Sequence, residues 1–277
     1  MDFLKRVLST IVGIGVFMGL CLFLLMIIGA AIGGSVDNKF EIEKNSVLKL
    51  NLNEEMPDYA GKFDYGELNE LFKGNKKYNG LSNILEAIEY ATTDSKIKGI
   101  SIVNNNINAG MAQTKAIRDA LIEFKKSGKF ILAYSDVLGQ KDYYLNSVSD
   151  AIYLNPVGAL DFKGLATEVL YYKDFQEKYG VKMEVIRHGK YKSAVEPYLA
   201  QEMSDANREQ ISTFLNSIWS EMKTEIGLSR NISIEKLDLI ADGLLARNAK
   251  KAVETKLIDK LIYIDEYNDI IKKKLNI

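Results

Sequence analysis

Between Val7 and Val36 the chain carries no charged residue, and residues 7–32 are dominated by Ile, Val, Leu, Phe, Gly and Met. No other feature constrains the molecule as strongly. An α-helix rises about 1.5 Å per residue, so about 20 apolar residues cross the hydrocarbon core of a bilayer. This run spans that core with some tilt, and it exceeds the apolar centre of an ordinary signal peptide, about 7–15 residues. The small residues Ala30, Ala31, Gly33, Gly34 and Ser35 leave a cleaved signal open as the alternative. Lys5 and Arg6 precede the run, and the positive-inside rule keeps that end cytoplasmic. The expectation is a single-pass anchor over residues 1–36 and a body over residues 37–277 outside the cytoplasm. Cys21, in mid-span, reads as a packing residue rather than a lipid attachment point.

No second run reaches spanning length, so the remainder folds in water. With 277 residues, 47% of them apolar, the chain can bury one large core or two modest ones. Its 37 acids against 36 bases give a formal net charge of −1, which exerts no general pull on nucleic acid, and no nucleic-acid partner is expected. Short basic runs such as Lys76-Lys77 and Lys272-Lys273-Lys274 read as solvated surface. Scarcity is more informative: there is one cysteine and one histidine, His188. A structural zinc site takes about four Cys/His ligands, so those residue types cannot supply one here, and an internal disulfide is impossible. No cofactor is expected. His188, beside Arg187 and Gly189, reads as structural or exposed rather than as part of a Ser-His-Asp triad. Acid–base chemistry then falls to Lys, Asp or Glu.

Along the body the hydrophobic period alternates. Residues 47–52 read as a strand and residues 54–80 as a loop. Leu81, Ile84, Leu85 and Ile88 share a helical face, and residues 97–103 form the next strand. Ile117, Ala120, Leu121 and Phe124 make a second stripe, which Gly128 is placed to end. Strands are expected over residues 130–134, 151–154 and 182–186, with helices over 143–148 and about 167–179. Such alternation argues for parallel crossover units in a layered α/β domain. Beyond Pro197 the chain turns helical. Ser204 is a good N-cap for a stripe of Ile211, Phe214, Leu215, Ile218, Met222 and Ile226, which reads as core or subunit interface, and Trp219 packs beside it. Further helices are expected from near Ser233, over residues 249–256, and up to Leu275, with a short element at Leu257-Ile258.

The sequence offers no phosphate loop, no GxGxxG, no HExxH and no GxSxG. One stretch stands out: Arg187-His188-Gly189-Lys190-Tyr191-Lys192-Ser193-Ala194-Val195-Glu196-Pro197. It enters through glycine and leaves at proline, so its backbone is constrained at both ends, and such loops at strand ends are where α/β domains place functional groups. The part from Gly189 to Pro197 resembles the lysine motif of the signal peptide peptidase A (protease IV) family. Further likenesses flank it. Ile97-Lys98-Gly99-Ile100 is similar to the family's second strand, and Phe124-Lys125-Lys126-Ser127-Gly128-Lys129 to the helix end and turn after it. Tyr143-Tyr144-Leu145, Asp150 to Pro156 and Gly158 to Tyr172 continue the likeness, which covers about residues 45–265.

The resemblance implies a ClpP/crotonase-like stack of ββα units, here preceded by one transmembrane helix. It also implies a Ser/Lys endopeptidase of remnant signal peptides in a bacterial inner membrane, assembled as a homo-oligomer. In that chemistry a serine attacks the scissile carbonyl and a neutral lysine amine takes its proton. An ordinary lysine titrates at about 10.4 and burial favours its neutral form. Lys192 matches the family's base. One departure is as informative. Double-length members carry the nucleophile in a Ser-Gly-Gly-Tyr segment of their C-terminal half, whereas here Gln140-Lys141-Asp142-Tyr143 stands in the corresponding place. Ser135, Ser147 and Ser193 lie near in sequence without occupying the motif position, and Gly110 is a loose match for a backbone oxyanion donor. The expectation is a lysine-bearing N-terminal half, inactive alone, whose serine comes from a C-terminal half. The competing readings are a non-catalytic membrane scaffold or peptide-binding module, and a crotonase-type acyl-CoA enzyme. The anchor and the lysine motif argue against the latter.

Overall fold

A computed structural model describes residues 2–33, 41–59, 80–186 and 188–277. Contacts divide the chain into two compact units, Met1–Glu43 and Lys44–Ile277. The expected boundary at residues 36–37 and most of the expected loop at 54–80 lie outside the described residues.

Among the described residues the first unit holds one helix, α1 (Asp2–Gly33). Within it, Asp2–Ile28 has a mean hydropathy of 2.9, compatible with a single-pass membrane anchor. At 1.5 Å per residue its 32 residues reach about 48 Å, more than the hydrocarbon core requires.

The second unit is built on a parallel sheet of five strands whose spatial order follows the sequence: β1 (Ser46–Leu50), β2 (Ile97–Val103), β3 (Phe130–Leu138), β4 (Ala151–Leu160) and β5 (Lys260–Leu261). Parallel neighbours need a crossover. These are supplied by α2 (Leu81–Thr93), α3 (Met111–Lys125) and α4 (Gln140–Asn146). The mixed α/β class implied by the resemblance is therefore what the chain adopts. Ile100, Ile102, Ile131 and Ala133 of the central strands are fully buried, and so are Ile88, Ile117, Leu121 and Phe124 of the two helical stripes, as expected of a parallel sheet covered by its crossover helices. Gly128, at φ +78, follows the last turn of α3 as expected. At Gly99 a Cβ would stand 2.5 Å from the Phe130 ring, so only glycine lets β2 and β3 approach there.

Beyond β4 lie α5 (Lys173–Lys178), α6 (Glu196–Leu199), α7 (Asp205–Arg230), α8 (Ile234–Asp242), α9 (Ala249–Glu254) and α10 (Ile264–Leu275). Ser204 caps α7, its hydroxyl accepting from the Asn207 N–H at 3.2 Å. The apolar stripe of α7 is buried only at its C-terminal end, at Met222 and Ile226, while Phe214 is exposed. Trp219 packs on Phe162 with centroids 5.4 Å apart. Two expectations fail between β4 and α7. Residues 182–186 form no strand, and the helix over 167–179 shrinks to α5. A strand needs a neighbour for its backbone groups, and Val181, Met183 and Ile186 lie exposed with no strand beside them among the described residues. β3 and β4 instead run longer than expected, because past Ser135 they pair again at Val137↔Ala159 and Leu138↔Leu160.

α7 is tied to the sheet layer by a buried cation. Arg118, fully buried in α3, spends all its donors: Nε on Glu225 Oε2 at 3.0 Å, Nη1 on Ser147 Oγ at 2.7 Å and on the Tyr144 carbonyl, Nη2 on the Glu225 carbonyl at 2.9 Å and on Ser229 Oγ at 2.7 Å. Its guanidinium lies 4.7 Å from the centroid of the Tyr144 ring.

Candidate active site

The Lys192 stretch is a run of consecutive turns. Gly189 has φ +110, a backbone region that favours glycine, and its carbonyl accepts the Lys192 N–H at 3.4 Å. The Glu196 N–H then donates to the Ser193 carbonyl at 2.9 Å and the Ala200 N–H to that of Glu196 at 2.9 Å. Pro197 sits in the first turn of α6, where a missing N–H costs nothing. Two neighbours fix this end. The Pro197 carbonyl accepts the Tyr172 N–H at 2.6 Å, and the Tyr198 carbonyl accepts Gln176 Nε2 at 3.1 Å. The Tyr172 and Tyr198 rings stack with centroids 5.8 Å apart.

Lys192 is exposed and lines a surface cavity of ≈ 510 Å³ together with Ser193, His188, Val185, Ile186 and Val195. Its near neighbour Lys190 points elsewhere. The Lys190 ammonium pairs with Glu209 of α7 at 3.8 Å and lies 5.1 Å from the Tyr191 ring centroid. Of the two lysines, the one the motif likeness selects is the one on the cavity wall.

The remaining sequence candidates separate. Ser193 shares the Lys192 cavity, but Ser135 and Ser147 are core residues. The Ser135 hydroxyl donates to the Asn104 carbonyl at 2.5 Å and that of Ser147 to the Tyr144 carbonyl at 2.8 Å. Gly110 caps α3, and its N–H donates to Gln113 Oε1 at 2.8 Å, so that donor is spent within its own helix. Gln140 opens α4. Its Oε1 accepts the N–H groups of Lys163 at 2.9 Å and Gly164 at 2.7 Å, while its Nε2 donates to the Gly164 carbonyl at 2.9 Å. Gln140 is thus a backbone clamp at the place the resemblance gives to a nucleophile. Two residues on, burial raises the Asp142 carboxyl above the ordinary range, against the Ile107 N–H it accepts at 2.6 Å.

Residues 123–277 match the family model of Peptidase family S49, a stretch that contains both Gln140 and Lys192 and more than half of the chain. The chain belongs to peptidase family S49. Its relatives agree with the motif likeness. Protease 4 of Salmonella typhi is 38% identical over 191 residues, 66% of this chain and 31% of that protein. Protease 4 of Haemophilus influenzae is 34% identical over 227 residues, 80% of this chain and 36% of its own length. The chloroplastic serine protease SPPA of Arabidopsis thaliana is 27% identical over 237 residues, 85% of this chain and 33% of that one. The chain spans about a third of the length of these S49 relatives.

Two features escaped the sequence reading. Arg118 occupies the buried face of α3, four residues after Thr114 and three before Leu121, and that in-stripe position is a usable signal. Glu196 carries no such signal. Its burial follows from the turn that carries it back onto the start of α7, which no local pattern encodes.

Proposed function

We propose that this chain is the lysine-bearing half of a membrane-anchored Ser/Lys endopeptidase that hydrolyses remnant signal peptides, with Lys192 as general base. What carries the reading is the Lys192 loop, pinned by turns on both sides and set on the wall of a partly apolar cavity. Val185, Ile186 and Val195 on that wall suit the apolar core of a signal peptide. The relatives named Protease 4 and serine protease SPPA support the serine-protease chemistry. Gln140, an amide held by three hydrogen bonds, is no nucleophile, so the serine is assigned to a C-terminal half. That half, or further copies of this chain in a homo-oligomer, would cover the exposed side chains of Leu170, Phe175, Tyr179 and Ile186. Covering Lys192 would also desolvate its amine and favour the neutral form a base needs.

The serine Oγ attacks the scissile carbonyl carbon as its proton passes to Nζ of Lys192. The ammonium then gives that proton to the leaving amine nitrogen as the C–N bond breaks, leaving an acyl-serine. A water molecule hydrolyses the ester by the same relay, its proton going through Nζ back to serine Oγ. Lys5 and Arg6 lie in the first turns of α1, ahead of its uncharged run, and on that charge we assign the body to the outside of the cytoplasm of a bacterial inner membrane. An alkaline phosphatase fused to Ile277 should then be active, and activity only from a cytoplasmic reporter reverses the orientation.

The chain alone should resist a fluorophosphonate probe. A chimera in which it replaces the matching stretch of the Haemophilus influenzae relative should be labelled and should cleave peptides. Lys192→Ala should lower that cleavage about 10²–10⁴-fold, the usual contribution of a general base. Lys192→Arg should fail too, because guanidinium stays protonated, while Lys190→Ala should cleave normally. A folded Lys192→Ala chimera of full activity would remove Lys192 from the mechanism, and labelling of the chain alone at Ser193 would move the nucleophile beside it. The Gln140 clamp favours one other reading, a peptide-holding scaffold without catalysis. A chimera that binds peptides and never cleaves them would select it.

A further inference from the structure

The segment around Lys192 has one deep anchor. From residue 177 to residue 206 nearly every side chain is exposed or half-buried, and among the described residues of that stretch Glu196 alone is buried, at 4% exposure. It is also a carboxylate, and burying one is costly unless its oxygens are hydrogen-bonded. The Ser204 hydroxyl donates to Oε1 at 2.6 Å and Asn207 Nδ2 to Oε2 at 3.0 Å, with the Ser204 N–H reaching Oε2 at 3.4 Å. The same Ser204 hydroxyl accepts from the Asn207 N–H at 3.2 Å, so its donor and acceptor capacities are both in use. The carboxylate also sits at the positive end of a 26-residue helix, which favours negative charge there. Arg118 and Glu225 fasten the far part of that helix to α3.

These contacts form a chain of rigid pieces from the core to the cavity. The core holds α7, α7 holds Glu196, and the turn closed by the Glu196 N–H on Ser193 lies immediately after Lys192. We infer that Glu196 is a positioning residue. Through Ser204 and Asn207 it fixes where the backbone of residue 192 stands, and it touches no reacting atom itself. The inference rests on the proposed role of Lys192 for its catalytic consequence, but not for the placement itself.

The lone cysteine makes the placement measurable in the full chain. Cys21→Ser with Lys192→Cys and Glu123→Cys accepts two spin labels, one on the loop and one on the exposed face of α3. Pulsed electron paramagnetic resonance should give a narrow distance distribution in this background. Glu196→Gln should at least double its width, Ser204→Ala should widen it as well, and Ser204→Thr, which keeps the hydroxyl, should restore it. A merely stabilising residue would lower the melting temperature and leave the native distribution unchanged, and that result overturns the inference. Should Glu196→Gln fail to fold, Ser204→Ala against Ser204→Thr decides alone. In the chimera, Glu196→Gln should lower kcat with KM within about twofold, by up to about 10²-fold for a 1 Å misplacement. An unchanged kcat despite a widened distribution, in a chimera that Lys192→Ala inactivates, overturns its catalytic consequence. Full activity in Lys192→Ala would instead refute the proposed base while leaving the distance result standing.

Discussion

The sheet layer and the lysine segment of this S49 chain are held by different forces. In β2, β3 and α3 apolar side chains vanish from solvent, with Ile100, Ile102, Ile117 and Leu121 all at 0% exposure. Between β4 and α7 comparable side chains stand open, with Leu170 at 68%, Phe175 at 61% and Tyr179 at 64%. The first region is stabilised from within by burial, at about 25 cal/mol per Å². The second is held by a few hydrogen bonds, at Gln176, Pro197 and Glu196, each a net contribution of about 1 kcal/mol, or up to about 3 for the charged group. The sheet is therefore a finished scaffold, whereas the geometry of the proposed base depends on a small number of polar contacts and on whatever covers the segment.

The hardest blow to this contrast is Arg118→Ala, because Arg118 ties α3 to α7, the helix that in turn holds the lysine segment through Glu196. Removing it takes one of three partners from the Glu225 carboxylate, which keeps Lys115 and Tyr144, and takes the donors from the Tyr144 and Glu225 carbonyls and the Ser229 hydroxyl. The lost hydrogen bonds and the cavity left by a fully buried side chain together cost about 2–5 kcal/mol. Denaturant unfolding should show that loss, and hydrogen exchange should quicken along α7 more than in β2 and β3. A loss below about 1 kcal/mol would mean that α7 is docked by apolar packing alone.

The same division explains what the sequence disclosed. The helical stripes and buried strands announced themselves because one pattern governs both local conformation and burial. Ile97 to Val103 and the stripe of Ile117, Leu121 and Phe124 fall where expected, within a residue or two at their ends. Residues 182–186 read as a strand from composition alone, but a strand exists only with a partner, and among the described residues none lies beside them. The lysine motif was legible as a family likeness, and the structure sets its Lys192 on a cavity wall. The Gln140 clamp and the Glu196 anchor were not legible. Each hydrogen-bonds to groups 8–24 residues away, a pairing made by tertiary contact rather than by spacing.

Acid should loosen the junction next. Burial alone would raise Glu225, but hydrogen bonds from Lys115 and Tyr144 and the charge of Arg118 outweigh it and hold its carboxyl below the ordinary 4.5. A depressed acid contributes stability that is full above its unfolded value and is lost as pH falls through the folded one. Asp136, held low first by Asn155 and also by Tyr134 and Asn105, works in the same direction. Asp142, raised by burial, works against them, since its protonation is easier in the folded chain. Thermal melts should thus fall between pH 5 and pH 3 in the native chain, and fall less in Glu225→Gln. An equal fall in both would assign acid sensitivity to other carboxylates.

The smallest effect is expected where the contrast is sharpest. Ile186 stands fully in solvent at 106%, and the exposed Phe175 ring lies against that of Tyr179, with centroids 4.7 Å apart. Replacing both by serine removes two large apolar side chains, yet little area leaves or enters water on folding. Surface changes of this kind stay within about 0.5 kcal/mol, whereas Leu121→Ala in α3 should cost about 2–5. The unfolding midpoint of the full chain in detergent should then be nearly unchanged in Phe175→Ser/Ile186→Ser. Association should behave oppositely. If these side chains form the face that a second half or second copy covers, sedimentation should show weaker self-association, and the chimera carrying both changes should cleave poorly. A double variant that unfolds early would mean that the lysine segment packs on its own body after all. A double variant that is stable, associates normally and cleaves normally would show that the exposed face serves neither assembly nor catalysis, and would leave Glu196 as the principal element holding Lys192 in place.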